Sequence, residues 1–360
     1  MKYERRAYHD PNVKTRFKPG WAGRPGTELP IPEFPISSRE NFRRVAKHQN
    51  PLWITNTGVE ANMGMLFMVT GMPDANFASR ERHDYVDAFG ATWTYVPEAG
   101  GPMLKPGTQF MDDVTEWEKK VKFPNLNDYP IKEKCEWWLN TMCDPSKICH
   151  VNIGLGCTER LVALMGGYQD AMIAMATEPE AVRDFLDAFV EYKCGLVDKL
   201  CEYLPIDFIT YHDDWGTERD TFFSEAMMES MVFEPTKRLF GHIHDKGIIL
   251  QQHSCGRIGR FIPYMIEAGV DFVQIQERAN DVPAYKEKWG DKIGFEVPIK
   301  PAAADRESVL QAVHKAVDTY AKSGGVFCTI TTPDPEVLWD ATEELYCYSR
   351  EKYDAEQGRA

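Results

Sequence analysis

Residues 206–217 read Ile206-Asp-Phe-Ile-Thr-Tyr-His-Asp-Asp-Trp-Gly-Thr217, an apolar run followed directly by a polar turn. An apolar run of this length predicts a buried strand. The same order returns twice downstream: Ile248 to Gln252 precede His253-Ser-Cys-Gly256, and Asp271 to Gln276 precede another polar loop. Runs with helical spacing separate these strands, so strand and helix alternate along the chain. Such alternation predicts a parallel sheet covered by helices.

Further strands extend this pattern in both directions. His150 to Leu155 and Val326 to Ile330 are apolar runs of the same kind, and Pro51 to Asn56 is the first of them. The chain thus holds roughly eight strand–helix units, the number that closes a TIM (β/α)8 barrel. A doubly wound open sheet is the alternative, but no Gly-x-Gly-x-x-Gly follows the first strand. Because residues 1–45 are rich in Pro, Gly and charge, we expect an irregular N-terminal arm before a single barrel domain over residues 46–360.

Composition and charge narrow the class of protein. The chain has 360 residues, of which 43% are hydrophobic, and this excludes a disordered chain. Its net charge of −14 opposes binding to nucleic acid or to anionic membranes. The first residues lack the apolar core of a signal peptide, and no apolar run reaches the length of a membrane span. The nine irregularly spaced cysteines are typical of reduced thiols, so we expect a cytoplasmic protein.

The sharpest local signal is His253-x-Cys255, at the end of a predicted strand. An imidazole and a thiolate so close together can point toward one ion, and Zn²⁺ prefers such ligands in a tetrahedral shell. Cys328 ends the last clear strand and is the predicted third ligand, with water, a substrate atom or Glu296 in the fourth position. The alternative is an ordinary loop histidine and two buried thiols, because cysteine is often a small core residue.

A second signal is Asp213-Asp214-Trp215, which follows another predicted strand. Adjacent carboxylates repel, so one of them either protonates more easily or accepts several hydrogen bonds. This favours a general acid or a group that binds a protonated ligand. The alternative is a helix cap, because Asp is favoured at the start of helices.

Three segments together resemble the uroporphyrinogen decarboxylase superfamily, and within it the methyltransferase branch that works with corrinoid proteins. The segments are Tyr211-His-Asp-Asp-Trp-Gly-Thr217, His253-Ser-Cys-Gly256 and Ile266-Glu-Ala-Gly-Val-Asp-Phe-Val-Gln-Ile-Gln276. The resemblance implies a TIM barrel. In zinc-dependent members of the branch a His-x-Cys pair and a distant Cys hold the metal, which implies His253, Cys255 and Cys328 here. It also implies a corrinoid carried by a partner protein, which docks at the barrel mouth.

The segment after the first strand departs from that of true uroporphyrinogen decarboxylases. Their segment resembles Arg-Gln-Ala-Gly-Arg-Tyr, whose arginines bind the carboxylates of the substrate, whereas this chain has Thr55-Asn-Thr-Gly-Val-Glu60. A neutral or small substrate is therefore expected rather than a multiply anionic tetrapyrrole. We expect a zinc-dependent methyltransferase that moves a methyl group between a small methylated compound and the cobalt of a corrinoid protein. The best candidate for the reaction is O-demethylation of a methoxylated aromatic.

Roles follow for the other polar residues at the strand ends. Asp214 or Glu277 would protonate the leaving group or orient the substrate. The predicted substrate contacts are Tyr211, Asp213, Trp215 and Gln276. Two other functions stay open. A decarboxylase without a cofactor predicts no metal and a carboxylated substrate, and a non-catalytic binding module predicts a structural zinc with four protein ligands.

Overall fold

The computed structural model describes residues 7–8, 10, 14–18, 27–30, 34–73 and 81–358. The strands in these residues are β1 (Thr15–Lys18), β2 (Thr27–Pro30), β3 (Thr55–Asn56), β4 (Ala61–Met65), β5 (Asp84–Val86), β6 (Thr92–Val96), β7 (Gly101–Leu104), β8 (Ile148–Ile153), β9 (Phe208–His212), β10 (Ile249–Ser254), β11 (Phe272–Ile275), β12 (Gly294–Val297) and β13 (Val326–Cys328).

Helices cover the outside of the sheet and connect its strands. The α-helices are α1 (Ser38–Ala46), α2 (Thr57–Glu60), α3 (Leu66–Thr70), α4 (Trp117–Lys120), α5 (Ile131–Thr141), α6 (Cys157–Met165), α7 (Tyr168–Thr177), α8 (Pro179–Cys201), α9 (Glu225–Met227), α10 (Phe233–Asp245), α11 (Ile262–Glu267), α12 (Val282–Trp289), α13 (Arg306–Tyr320) and α14 (Pro335–Glu356). A π-helical segment, Met228–Val232, joins α9 to α10. No helix in the described part of the chain is long and apolar enough to span a membrane.

Eight of the strands form one parallel sheet in the order β3-β13-β12-β11-β10-β9-β8-β4. Its two end strands, β3 and β4, follow one another in the chain and are separated only by the single turn of α2. The sheet therefore curves into a nearly closed barrel with helices outside it. The predicted TIM-barrel fold is confirmed.

An apolar plug fills the end of the barrel where the strands begin. Phe42 of α1 packs against Phe208, Phe272 and Phe327, with ring centroids 5.0 to 5.3 Å apart. Each partner comes from a different barrel strand, so one helix closes this end. The core at this end leaves the carboxyl ends of the strands for the functional site, as in other parallel barrels.

Side chains along a strand alternate between its two faces, so the residues of the apolar plug show which positions of each strand face the barrel interior. Ile249 and Phe272 belong to the plug, so His253 and Gln274 lie on the interior faces of β10 and β11. Phe327 belongs to the plug as well. Its neighbour Cys328 therefore faces the surrounding helices.

A three-stranded antiparallel sheet, β5 to β7, lies over the open end of the barrel; we call it the cover sheet. Its turn residue Asp87 forms a buried ion pair with Arg160 of α6, with 2.5 Å between Oδ2 and Nη1. The indole nitrogen of Trp93 in the cover sheet donates to the same carboxylate over 2.9 Å. This ion pair fastens the cover sheet to the barrel.

The N-terminal arm and one barrel strand are more regular in the structure than the sequence predicts. Part of the predicted arm lies outside the described residues, namely 1–6, 9, 11–13, 19–26 and 31–33. Helix α1 begins within the arm and closes one end of the barrel. Strand β4 is a barrel strand that the sequence pattern missed. Its sequence, Ala-Asn-Met-Gly-Met, contains no β-branched residue, so strand propensity alone does not indicate it.

Candidate active site

A cavity of about 770 Å³ opens at the carboxyl ends of the barrel strands. Its walls are mainly apolar and come from α3, the cover sheet and α6. The apolar lining includes Leu66, Phe67, Trp93, Met103, Leu104 and Val162. Its polar side chains are carboxyl, imidazole, amide and phenol groups: Asn152, Glu159, Tyr168, His212, Asp214 and His253. No Lys or Arg side chain from the described residues lines it.

Three potential metal ligands meet at this cavity. One ligand atom from each of Asp214, His253 and Cys255 lies within 4.8 Å of the other two. Nε2 of His253 is 3.5 Å from Sγ of Cys255 and 3.6 Å from Oδ1 of Asp214. Nitrogen, sulfur and carboxylate oxygen are the donors that zinc takes in proteins, so these side chains suit a zinc ion.

The ring of His253 is oriented from inside the barrel. Its Nδ1 lies 2.6 Å from Oε1 of Gln274, and the amide nitrogen of Gln274 donates to Oε2 of Glu296 over 2.5 Å. Gln251 and Thr329 also donate to this carboxylate. Three donors therefore converge on Glu296, which supports His253 through Gln274. The predicted fourth ligand is not in the group formed by Asp214, His253 and Cys255.

Cys255 lies among groups that act on its thiol. The amide of Gln276 donates to its Sγ over 3.0 Å, and the backbone N–H of Cys255 donates to Oδ1 of Asp214 over 2.7 Å. Burial, followed by the charge of Asp214, raises the pKa of Cys255 to about 12. A thiolate at neutral pH would therefore require a bound cation. Gln276, predicted to bind substrate, contacts this thiol instead.

Cys328, the predicted third ligand, is not part of this group of three. The residue is fully buried and packs in the core shared by the outer barrel face and the helices. Burial raises the pKa of its thiol well above the ordinary value. The structure brings Asp214, rather than Cys328, to His253 and Cys255.

Asp213 points away from the cavity and caps helix α6. Its carboxylate accepts hydrogen bonds from the Thr158 hydroxyl at 2.6 Å, from the Thr158 and Glu159 backbone N–H groups, and from the Trp215 indole. A Cβ on Gly156 would lie only 2.4 Å from that of Asp213, so glycine is needed for this close approach. Burial raises the pKa of Asp213 to about 6. The alternative of a helix cap therefore describes Asp213, while its neighbour Asp214 reaches the cavity.

Three other predicted residues lie away from the cavity lining. Tyr211 is fully buried, and its hydroxyl accepts a hydrogen bond from the backbone of Cys157. Trp215 is buried and packs edge-on against Phe261. Glu277 forms an ion pair with Lys300.

Glu159 and His212 are among the cavity residues that the sequence interpretation missed. Glu159 lies in the first turn of α6, and its pKa is raised well above the ordinary value by burial and by the charges of Asp214 and Asp213. The ring of His212 lies 4.4 Å from that of His253, and burial lowers its pKa. For His212 the only available signal was the alternation of side chains along a strand: His212 lies two residues beyond Thr210 and therefore points to the same face. None existed for Glu159.

Residues 85–326 match the model of the family described as uroporphyrinogen decarboxylase (URO-D). This chain belongs to the uroporphyrinogen decarboxylase family. No curated protein matches it significantly. Among solved structures, this family member is similar to a methyltransferase from Methanosarcina mazei, with a TM-score of 0.63 and 11% identity over 88% of this chain and 99% of that one.

At the first barrel strand, this member of the uroporphyrinogen decarboxylase family carries the segment Thr55–Glu60, which contains no arginine. This segment forms β3 and the single turn of α2. Asn56 caps that turn by accepting from the Gly58 N–H. No arginine from the described residues lines the cavity.

Proposed function

We propose that this chain is a zinc-dependent methyltransferase of a corrinoid system. It would move a methyl group between a small methylated compound and the cobalt of a corrinoid protein. The observation that carries this proposal is the group of Asp214, His253 and Cys255 at an apolar cavity in the barrel mouth. The similarity in fold to the Methanosarcina mazei methyltransferase supports the same class.

His253 and Cys255 would hold the zinc ion, with Asp214 as the third ligand that the structure favours. Bound zinc would act as a Lewis acid toward the departing oxygen, or would activate a thiol that accepts the methyl group. Gln274 orients the imidazole, and Gln276 donates a hydrogen bond to the sulfur of Cys255. Such supporting contacts strengthen metal binding because they fix the ligands before the ion arrives.

The departing oxygen needs a proton donor. When a methyl–oxygen bond breaks, the oxygen keeps the electron pair and takes up a proton, while the methyl group passes to cobalt. Glu159 lines the cavity, and burial raises the pKa of its carboxyl group well above the ordinary value, which favours the protonated form. Asp214 also lines the cavity, whereas Glu277 is paired with Lys300 and lies outside the lining. Glu277 is therefore the less favoured of the two acids predicted from the sequence, Asp214 and Glu277.

O-demethylation of a methoxylated aromatic is the reaction we favour within this class. Apolar side chains form most of the cavity wall, and a volume of about 770 Å³ accommodates an aromatic ring with substituents. The lack of basic residues in the described lining disfavours a multiply anionic tetrapyrrole. An uncharged methoxyarene would require no such partner.

A cofactor-free decarboxylase is the second candidate, because the chain belongs to the uroporphyrinogen decarboxylase family. It predicts activity without zinc on a carboxylated substrate. The two candidates separate in one experiment: the zinc-loaded chain is mixed anaerobically with cob(I)alamin and 4-methoxyphenol. The proposal predicts methylcobalamin and hydroquinone in equal amounts. Failure with all methoxyarenes tested, together with metal-independent release of CO₂ from a carboxylated substrate, would favour the decarboxylase.

A further inference from the structure

Two buried polar atoms at the cavity have no hydrogen-bond partner. They are Oε2 of Glu159 and Nε2 of His212, and both side chains line the cavity. Buried polar atoms in folded proteins are normally paired with protein or with a bound molecule. Two unpaired atoms in one cavity therefore indicate where a ligand would make hydrogen bonds.

The neighbouring side chains are already engaged elsewhere. Next to Glu159, the carboxylate of Asp213 accepts from the helix start, and Oδ1 of Asp214 accepts from the Cys255 N–H. Next to His212, the ring of His253 is bonded to Gln274 through Nδ1 and faces Cys255 through Nε2. None of these groups pairs with the two atoms, so we infer that a molecule bound in the cavity would supply their partners.

A hydroxyl group can form a hydrogen bond with either atom. A hydroxyl can donate and accept, so it can bond a carboxyl group or an imidazole nitrogen in either tautomer. A carboxylate on the ligand would meet the acidic side chain of Asp214 without any Lys or Arg in the described lining, and like charges would oppose its binding. A fully methylated ring would offer acceptors only.

We propose that Glu159 and His212 form a hydroxyl-binding subsite of this cavity, which selects an uncharged aromatic bearing both a methoxy and a free hydroxyl group. The methoxy part of this inference rests on the proposed function. The hydroxyl part rests on the unpaired atoms, and binding alone can test it.

The test measures affinity without cobalt, so that no methyl transfer occurs. The full chain is titrated calorimetrically with 4-methoxyphenol, with 1,4-dimethoxybenzene and with 4-methoxybenzoate. We expect 4-methoxyphenol to bind about tenfold or more tightly than the dimethoxy compound, because the latter leaves buried atoms unpaired. We expect the benzoate to bind most weakly. Equal affinities, tighter binding of the benzoate, or no binding of 4-methoxyphenol would overturn the proposal.

Variants connect the preference to the two side chains. Glu159→Leu and His212→Phe should each reduce the preference for the hydroxyl severalfold, and Glu159→Gln, which keeps a polar group, should retain part of it. Glu180→Gln is the matched control, since Glu180 lies in the first turn of α8 but is exposed. Circular dichroism establishes that each variant is folded. A preference that survives both apolar substitutions in folded protein would place the hydroxyl elsewhere and overturn the assignment. If wild type shows the binding preference for the hydroxyl but transfers no methyl group, that result would count against the proposed function alone.

Discussion

Nδ1 of His253 lies 2.6 Å from Oε1 of Gln274, and this contact determines which ring nitrogen faces Cys255 and Asp214. The amide nitrogen of Gln274 donates to Glu296, so its oxygen must face the imidazole. A carbonyl oxygen only accepts, so Nδ1 carries the proton. The lone pair is then on Nε2, the atom next to Asp214 and Cys255. The barrel interior therefore sets the tautomer that a metal requires.

Gln274→Met should weaken zinc binding about 10- to 100-fold, because it removes the acceptor that fixes this tautomer. Competition with a chelator measures the affinity. Spectra of ¹⁵N-histidine-labelled protein report the tautomer, with His253→Asn to assign the signal. Gln252→Met is the control: it removes a neighbouring buried amide, which donates to the backbone oxygens of Asp213 and His253. Equal zinc affinity of Gln274→Met and wild type would contradict the role given to Gln274.

The third metal ligand gives a separate prediction. Asp214→Asn should lower zinc content strongly, because it weakens a ligand within 4.8 Å of His253 and Cys255. Cys328→Ser should retain zinc, since Cys328 packs on the helix side of its strand. Elemental analysis of the purified variants measures this. The opposite pattern, with zinc lost from Cys328→Ser and kept in Asp214→Asn, would restore the ligand set implied by the family resemblance.

The difference between these two residues shows what the sequence could and could not establish. Strand ends carry polar side chains in the sequence, so His253, Cys255 and Asp214 were predictable as a cluster. The face on which a side chain lies depends on whether its residue occupies an odd or an even position in the strand. The end of a strand predicted from sequence can differ from the real end by a few residues. Strand β13 ends at Cys328, and its neighbour Phe327 takes the interior position.

Residues contributed by helices and weak strands were beyond sequence reasoning. Glu159 reaches the cavity only because α6 begins at the barrel mouth, and an acidic first turn is common in helices. Strand β4 lacks the residues that indicate strands, and it exists because its neighbour β8 supplies five paired positions. In both cases tertiary contacts, rather than the local sequence, determine the structure.

The buried ion pair between Arg160 and Asp87 predicts a large effect on stability. Arg160→Met should lower the free energy of unfolding by about 3–5 kcal/mol, because it leaves a buried carboxylate without its cation. Urea denaturation measures this change. Arg82→Met is the control, since Arg82 and Glu98 pair on the exposed surface of the same region. Exposed pairs contribute about 0–1 kcal/mol, so similar losses in the two variants would contradict the proposed anchoring of the cover sheet.

His150 in the barrel interior gives a pH-dependent prediction. Burial lowers its pKa from 6.5 to about 3. Below pH 6.5 the unfolded chain therefore binds a proton that the folded chain refuses, and stability falls as the pH drops toward 3. Between pH 6.5 and pH 5 this contribution is about 2 kcal/mol, at about 1.4 kcal/mol per unit.

His150→Gln removes the titrating group but keeps a donor for Thr210, which lies 2.8 Å from the histidine Nε2. Urea titrations at the two pH values should show that wild type loses about 2 kcal/mol more than the variant. The other ionisable groups are the same in both proteins. Parallel losses would mean that His150 is protonated in the folded chain or is not buried.

The zinc site that we propose at the barrel mouth, formed by His253 and Cys255 with Asp214, is tested most directly by the zinc content of the protein. Wild type and His253→Ala are purified in the presence of zinc, dialysed and analysed for metal per chain. We predict about one zinc per chain in wild type, and its loss from a variant that keeps its fold by circular dichroism. A wild-type chain without zinc, or a variant that retains it, would contradict the account.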